Sequence, residues 1–308
     1  MTMDLIKARA VPKAPRLSYA GEKRLVIVLF LLMPVGLLLL FSCYPAVKLI
    51  ELSFTDWNGY SAEYGFVGLH NYLLVFKDAK ILRAFANTFA YIVIAVVQTF
   101  LGLYLAIVLN TSLRGRNFFK SALFVPYVLN GVAVAFMFNY LYNYTTSPVN
   151  LILNKIGLGE YAIQWLSDSY FSNFSLAFIG MWSFTGLTMI IFIGALQSIP
   201  MELFEAADID GASFGHKIRY IVYPSIKKIV ELNLFLSLNG AFQAYFQAFV
   251  ITKGGPAGAT DTFVTSAIRT AFDYSNFGKA SAMGVVLLVI VAVVTSLQKL
   301  FLRKGENE

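Results

Sequence analysis

The stretch Phe174–Leu196 reads FSLAFIGMWSFTGLTMIIFIGAL and contains no Asp, Glu, Lys or Arg. A helix crosses the hydrocarbon core of a bilayer with about 20 mostly apolar residues, so this stretch alone predicts a transmembrane helix. Five further stretches have the same character, and their only charged residues, Lys120 and Glu231, lie close to the starts of the third and fifth stretches. We therefore predict an all-α integral membrane protein whose six transmembrane helices are Leu25–Val47, Ala84–Leu109, Phe118–Tyr142, Phe174–Leu196, Val230–Ile251 and Ser281–Gln298.

The composition agrees with a membrane protein. Of the 308 residues 58% are hydrophobic and only 13% are charged, and the mean hydropathy is +0.67. A soluble domain carries about 25% charged residues, so this chain has too few charges to cover a water-facing surface. With Cys43 as the single cysteine, and His70 and His216 in different loops, the chain has neither an intrachain disulfide nor a Cys/His metal site.

The basic residues predict the orientation in the membrane. The net charge is +7, and two thirds of the Lys and Arg residues fall in the two terminal segments and the loops after the second and fourth spans. Cytoplasmic segments carry such an excess, so we expect both termini in the cytoplasm and no nucleic-acid binding. The predicted organisation is a basic tail at residues 1–24, a six-span domain at 25–303 and a short tail at 304–308.

The loop after the fourth span has a helix–turn–helix pattern within residues 198–225. It reads MELFEAADIDGASFGHKIRYIVYP over Met201–Pro224. Pro200 suits the first turn of a helix, Gly211 suits its end, and a second short helix is predicted at Phe214–Val222. Because such an element is not needed to span a bilayer, we expect it to stand in the cytoplasm and contact another protein.

This loop resembles a family signature. Glu205-Ala206-Ala207, three residues, Gly211, nine residues and then Ile221-x-x-Pro224 are similar to the signature loop of permease subunits of binding-protein-dependent ABC importers, with Tyr223 where that family usually has Leu. Other pieces resemble the carbohydrate-uptake branch, and in particular the first permease of the maltose or multiple-sugar importer pair. They are Ser53–Trp57, Phe66–Tyr72, Gly254–Pro256 and Arg269–Phe272.

The resemblance implies a mechanism and a set of partners. In that family the loop docks into a cytoplasmic ATPase subunit and couples ATP turnover to transport. Carried over to this chain, the ATPase-coupling residues are Glu205, Ala206, Ala207, Asp210, Gly211, Ile221 and Pro224. The implied partners are a second, different permease chain, two cytoplasmic ATP-binding cassette subunits, an extracellular or periplasmic substrate-binding protein and membrane lipid. The implied location is the prokaryotic plasma (inner) membrane, and the sugar is left open.

The chain has no phosphate-binding loop of its own. Gly278-Lys279 comes nearest to the Gly-x-x-x-x-Gly-Lys-[Ser/Thr] pattern, but Ala280 follows it and no glycine precedes it at the required spacing. We therefore expect a transport subunit without an ATPase site, catalytic residues, a metal or a cofactor.

A polar stripe in the fifth predicted span suggests the substrate pathway. Asn239, Gln243 and Gln247 recur at i, i+4 and i+8 and would share one face of a continuous helix. With Tyr245 and with Trp182 of the fourth span, they offer the amides and aromatic rings that suit a sugar. The alternative is that these amides hold neighbouring helices together.

Two other classes compete with a permease. Ion-coupled secondary carriers and channels usually place Asp, Glu or His within their spans, whereas this chain has only Glu231, at the edge of the fifth predicted span. A membrane enzyme needs acid, base or metal groups converging at one membrane face, and no such set is apparent in the sequence.

Overall fold

The computed structural model describes residues 19–111, 113–143, 147–168 and 171–304. Most of the predicted N-terminal tail (residues 1–18) and of the C-terminal tail (residues 305–308) lies outside the described residues. The chain divides into two compact units, Met1–Glu51 and Leu52–Glu308, which are described separately.

The described part of the first unit is one unbroken helical run. Helix α1 (Tyr19–Leu38) passes through a π-helical segment, Leu39–Cys43, into α2 (Tyr44–Leu52). This run is long and apolar enough to cross a bilayer, and none of its described residues is buried. Apolar side chains on all sides suit a helix surrounded by lipid or by other membrane helices.

The second unit consists mainly of α-helices. An isolated bridge between Thr55 and Phe66 joins the two sides of the first loop. The helices are α3 (His70–Lys77), α4 (Ala79–Leu109), α5 (Arg116–Val128), α6 (Gly131–Tyr142), α7 (Pro148–Lys155), α8 (Ser172–Gln197), α9 (Met201–Ile209), α10 (Phe214–Lys217), α11 (Tyr223–Phe242), α12 (Phe263–Phe272) and α13 (Phe277–Lys304). Short π-helical segments lie at Ile218–Val222 and Ala248–Thr252.

Helix α4 passes through three hydrophobic clusters and so defines the long axis of this unit. Near its start, Ile81 packs with Phe263 of α12 and Met283 of α13. Its middle packs in a second cluster with α6, α8 and α11. Its end, at Ala106 and Leu109, packs in a third cluster with the end of α8 and the start of α11. Because α9 joins α8 to α10 at this last cluster, α9 and the α12–α13 junction lie at opposite ends of the bundle.

The structure supports fewer single spans than the sequence predicts. Among the described residues, four helices are long and apolar enough to cross a membrane: Tyr19–Leu52, Ala79–Leu109, Ser172–Gln197 and Phe277–Leu300. They cover the first, second, fourth and sixth predicted spans. Counting α5 and α6 as one span would give five. The count of six stays a prediction.

The third predicted span, Phe118–Tyr142, is wrong as a single helix. It consists of α5 and α6, which meet at an angle of 98°. Leu129 is extended (ψ 143°), and the Asn130 side chain accepts a hydrogen bond from the Val132 N–H (2.9 Å) and so starts α6 as a new helix. A residue that caps a helix start therefore marks the break.

The fifth predicted span, Val230–Ile251, is also wrong as a single helix. Helix α11 begins earlier, at Tyr223, and ends at Phe242, and Gln243 leaves the helical conformation. The chain turns at Gln243–Tyr245 before the π-helical segment Ala248–Thr252. Early α11 residues Lys227, Lys228 and Glu231 also lower the apolar character that a bilayer-crossing helix needs.

The loop after α8 begins with a helix that stops at a glycine. After α9, Gly211 has φ +73°, the Ala212 N–H donates to the Ala207 carbonyl (2.9 Å), and the Gly211 N–H donates to the Asp208 carbonyl (3.1 Å). This is a Schellman ending, which satisfies carbonyls that the helix end would leave unpaired. The segment Phe214–Val222 is not a separate short helix, because it runs without a break into α11.

Candidate functional site

A cavity of about 630 Å³ lies within the second unit beside the middle of α4. Its walls come from α4, α5, α6, α8 and α11, and from the turn and first helical residues after α11. Most of the lining is apolar, with a few amides and hydroxyls among aromatic rings. A largely apolar concave site with a small number of polar groups is the usual form of a small-molecule site.

Several polar groups of this cavity are already bonded within the bundle. The Gln98 Nε2 donates to the Thr188 Oγ1 (2.7 Å), which ties α4 to α8. The Asn233 Nδ2 donates to the Ile229 carbonyl (3.3 Å), and the Ser237 Oγ bonds to Thr99 (3.1 Å). These groups hold the walls in place and keep part of their hydrogen-bonding capacity.

Other polar groups of the cavity have no partner among the described residues. They include the side chains of Ser183, Gln243 and Gln247, together with the buried Tyr91 hydroxyl. Tyr91 lies on α4 and Ser183 on α8, whereas the two glutamines belong to the segment after α11. The side chains of Ser183, Gln243 and Gln247 could bond the edge of a polar solute, whereas the Tyr91 hydroxyl is buried behind the cavity wall.

Aromatic rings flank these polar groups. Tyr127 of α5 and Phe184 of α8 have ring centroids 5.8 Å apart, and Tyr245 and Phe246 follow the end of α11 with centroids 6.4 Å apart. All four rings line the cavity. Flat apolar faces beside amides are suited to a solute with both polar edges and apolar faces.

The structure brings together three of the five residues predicted for the pathway. Gln243, Tyr245 and Gln247 line the cavity, but Asn239 and Trp182 do not. The Asn239 Nδ2 donates to the Phe235 carbonyl of its own helix (2.8 Å), and Trp182 packs against Phe138 with ring centroids 5.4 Å apart.

The helical spacing that predicted one shared face for these amides was therefore misleading. Asn239, Gln243 and Gln247 do not share the face of one helix, because α11 ends before Gln243. The turn, rather than helical periodicity, carries Gln243 and Gln247 into the cavity wall. On α11 itself the lining residues include Asn233, Ser237 and Gly240. Their spacing of four and three residues is a helical signal that the sequence contained.

The residues resembling a coupling loop lie on an exposed element. Glu205, Ala206, Asp210 and Gly211 are exposed, whereas Ala207 is partly buried. The same element exposes large apolar side chains at Met201 (68%), Leu203 (47%), Ile209 (87%) and Phe214 (65%). Its other side is anchored, because Phe204 and Ile221 pack on the cluster formed by the ends of α4 and α8. Pro224 lies in the first turn of α11.

The described residues contain no group of three or more His, Cys, Asp or Glu side chains that could hold a metal ion. Lys217 and Asp208 form an ion pair across the turn between α9 and α10. The chemistry that the element offers is therefore that of a contact surface with mixed charged and apolar groups.

The fold is shared with a solved transporter. The chain matches a subunit in the crystal structure of a bacterial ABC transporter involved in the import of the acidic polysaccharide alginate, with a TM-score of 0.80. The match covers 92% of this chain and 96% of that one, at 20% sequence identity. At this identity the likeness concerns the fold.

Two curated relatives extend the comparison to sequence. The probable ABC transporter permease protein YurN of Bacillus subtilis is 33% identical over 291 residues, which is 94% of this chain and 99% of that protein. The multiple sugar-binding transport system permease protein MsmF of Streptococcus mutans is 29% identical, over 90% of this chain and 95% of its own length.

A family model also matches residues 98–305, from the middle of α4 through the cavity, the exposed element and α13. Taken with the near full-length relatives, this match shows that the chain belongs to the binding-protein-dependent transport system inner membrane components.

Proposed function

We propose that this ABC importer permease forms half of the translocation pathway for a sugar or oligosaccharide. The observation that carries the proposal is the cavity of about 630 Å³, in which the amides of Gln243 and Gln247 stand beside the rings of Tyr127, Phe184 and Tyr245. A sugar needs hydrogen bonds at its edge and apolar contact on its face. The multiple-sugar function in the name of the Streptococcus mutans relative supports the same class of solute.

The proposed pathway residues are Gln243, Gln247 and Tyr245. Asn239 and Trp182, which the sequence suggested, would act on the pathway only indirectly, through the ends of α11 and the packing of α8. None of the lining residues is Asp, Glu, Lys or Arg, which favours a neutral solute. The alternative of an ion-coupled secondary carrier or channel finds no support in the family assignment.

Coupling to ATP is proposed to pass through the element formed by α9, Gly211 and the start of α10. Its exposed apolar side chains lie beyond the end of the long helix α8, so water rather than lipid would cover them without a partner. Exposed apolar patches rimmed by charged residues usually mark protein contacts. Glu205, Ala206, Ala207, Asp210 and Gly211 would meet the ATPase, with Ile221 and Pro224 joining that contact to α11.

The complete importer would combine this chain with four kinds of neighbour. We propose a second and different permease, two cytoplasmic ATP-binding cassette subunits, a substrate-binding protein on the outer side and membrane lipid. ATP hydrolysis would belong to the cassette subunits. The six-span domain at 25–303, the helix–turn–helix loop at 198–225 and both cytoplasmic termini are part of the same proposal, supported by the distribution of Lys and Arg.

Two substitutions test the coupling element. Gly211→Pro cannot adopt the positive φ of the turn, and Glu205→Lys reverses an exposed charge. Both variants should insert and assemble but lose solute uptake driven by ATP in reconstituted vesicles. Glu202→Lys, on the same helix but outside the signature, is the matched control and should keep most uptake. Normal uptake in both test variants would contradict the coupling role.

A further inference from the structure

A second cavity, of about 920 Å³, lies at the end of the bundle opposite α9. It is formed where the start of α4 meets the segment 253–261, α12 and the start of α13. Cations dominate its charged lining. They are Lys80, Arg83, Lys253, Arg269 and Lys279, against the carboxylates of Asp78 and Asp261.

The two carboxylates are occupied by two of these cations. The Lys279 Nζ donates to the Asp78 Oδ2 (2.9 Å), and the Arg269 Nη1 donates to the Asp261 Oδ2 (2.6 Å). Arg269 also donates through Nη2 to the Lys253 carbonyl (2.6 Å), and Asp273 approaches its Nε at 3.7 Å from outside the cavity lining. These bonds join the wall elements to one another and give the cavity a defined shape.

Three cations remain without a counter-charge. The charged groups of Lys80, Arg83 and Lys253 make no ion pair or hydrogen bond to any described residue, and all three side chains are exposed. Positive charges gathered at one concave place repel one another unless an anion joins them. The cavity is therefore complementary to an anionic group rather than to a neutral one.

Two of these cations, Lys80 and Arg83, lie on α4, which also carries an exposed apolar surface. Lys80, Arg83 and Asn87 share one face, and the Asn87 Nδ2 donates to the carbonyls of Ala259 (3.0 Å) and Asp261 (2.9 Å). Successive helical residues are about 100° apart, so a stripe of exposed apolar side chains at helical spacing lies about a third of a turn around α4 from this face. It consists of Leu82 (46%), Phe89 (63%), Val97 (47%), Phe100 (56%) and Tyr104 (62%).

We propose that this cavity binds the phosphate head group of an anionic phospholipid, whose acyl chains lie along the apolar stripe of α4. Lys and Arg form short charge-assisted hydrogen bonds to phosphate oxygens. A cation set at the end of a bilayer-crossing helix that also carries an exposed apolar stripe offers a partner to both parts of such a lipid. An acidic segment of a protein would satisfy the cations but would leave the stripe unexplained. The site concerns lipid and is independent of the solute that the importer carries.

The test is a lipid titration of the purified permease complex, followed by native mass spectrometry. Phosphatidylglycerol and phosphatidylcholine with the same acyl chains are the probes, and inorganic phosphate is the competitor. Phosphatidylglycerol should bind with about a tenfold preference. The triple variant Lys80→Gln, Arg83→Gln, Lys253→Gln should lose this preference, whereas Lys80→Arg with Lys253→Arg should keep it.

A matched control tests whether the loss of preference comes from the cavity or merely from the removal of three positive charges. Arg114→Gln, Lys155→Gln and Lys299→Gln also remove three exposed cations, but none of these residues lines the cavity. This control should keep the preference. If the control loses it equally, or if the cavity variant retains it, the proposal is overturned.

Two other outcomes would show that the cavity binds a different ligand. Displacement of the lipid by inorganic phosphate would assign it to a soluble anion, and loss of substrate-binding-protein association with unchanged lipid preference would assign it to an acidic protein surface. Either result overturns the lipid site. Should the triple variant fail to assemble, Lys80→Gln alone should lower the preference about threefold, and no change would overturn the proposal.

Discussion

At the scale of single residues, close packing of α8 against α5 depends on one glycine. A Cβ added at Gly186 would overlap the backbone of Leu123 and Phe124. Gly194, on the same helix two turns later, has nothing within 4 Å of its added Cβ. The two glycines share a helix and a residue type but differ in what surrounds them, so they form a matched pair.

We expect Gly186→Ala to destabilise the protein by about 1–3 kcal/mol, because α5 and α8 would have to move apart. Gly194→Ala should leave the stability unchanged or slightly higher, since alanine favours helix. Thermal unfolding of the two purified variants measures the difference. Equal unfolding midpoints would contradict this packing.

The role of Asp78 can also be tested. Its carboxylate bonds to Lys279 and so holds the start of α4 to α13. The hydrogen bond from Lys279 keeps the pKa of Asp78 below its ordinary value of 3.8, and the Lys80 N–H acts in the same direction while burial opposes both. For a carboxyl with a lowered folded-state pKa, the stabilisation is present above pH 3.8 and is lost as the pH falls through the folded-state pKa.

Asp78→Asn keeps the helix cap and removes the charge. We expect it to lower the free energy of unfolding at neutral pH by about 1 kcal/mol or less, because water partly screens the pair. The deficit relative to the unmodified protein should shrink as the pH falls below 3.8. Unfolding midpoints at neutral and acidic pH measure it, and a deficit independent of pH would refute the ion pair.

At the scale of elements, the end of α11 determines which side chains can meet a solute. The helix stops at Phe242, so the Gln243 amide enters the cavity while the Asn239 amide bonds to the Phe235 carbonyl within the helix. A break inside a membrane bundle is tolerated where the freed backbone lies within protein or a polar cavity. The turn after α11 is therefore the element most closely tied to the proposed pathway.

Gln243→Leu should raise the half-saturating solute concentration for uptake about 2- to 10-fold, because one hydrogen bond to the solute is lost. Asn239→Leu is the matched control and should change the half-saturating concentration much less, since Asn239 does not line the cavity. Uptake assays in proteoliposomes compare the two, with ATPase assembly checked by co-purification. Normal kinetics in Gln243→Leu would remove that residue from the pathway.

At the scale of the whole molecule, α4 joins the two ends of the second unit for which functions are proposed. The first loop lies at the end that holds the cationic cavity, because the Gly278 N–H at the start of α13 donates to the Trp57 carbonyl (2.9 Å). The coupling element lies at the other end. A 31-residue helix such as α4 is about 46 Å long, enough to exceed the hydrocarbon core of a bilayer.

The two ends should therefore react from opposite sides of the membrane. In a Cys43→Ser background, Ala62→Cys in the first loop should be labelled in intact cells by a membrane-impermeant maleimide. Ile209→Cys, 87% exposed in the native chain, should be labelled only after the membrane is opened. Labelling of Ile209→Cys from outside would reverse the predicted orientation and contradict cytoplasmic coupling.

The sequence by itself determined the membrane class, the positions of four long helices and the glycine stop at Gly211. Apolar length and a left-handed turn are local properties, so they can be read from neighbouring residues. The family resemblance was likewise visible in the spacing of Glu205, Gly211 and Pro224, and the family match confirms it.

Tertiary structure alone decided the end of α11 at Phe242 and the set of polar groups that share a cavity. It also paired Asp78 with Lys279, 201 residues apart in the chain. These features depend on packing between distant segments, where a polar group or an unwound turn is stable only if other helices supply its partners. Local periodicity, which continued the fifth span through Gln243, contains no information about those partners.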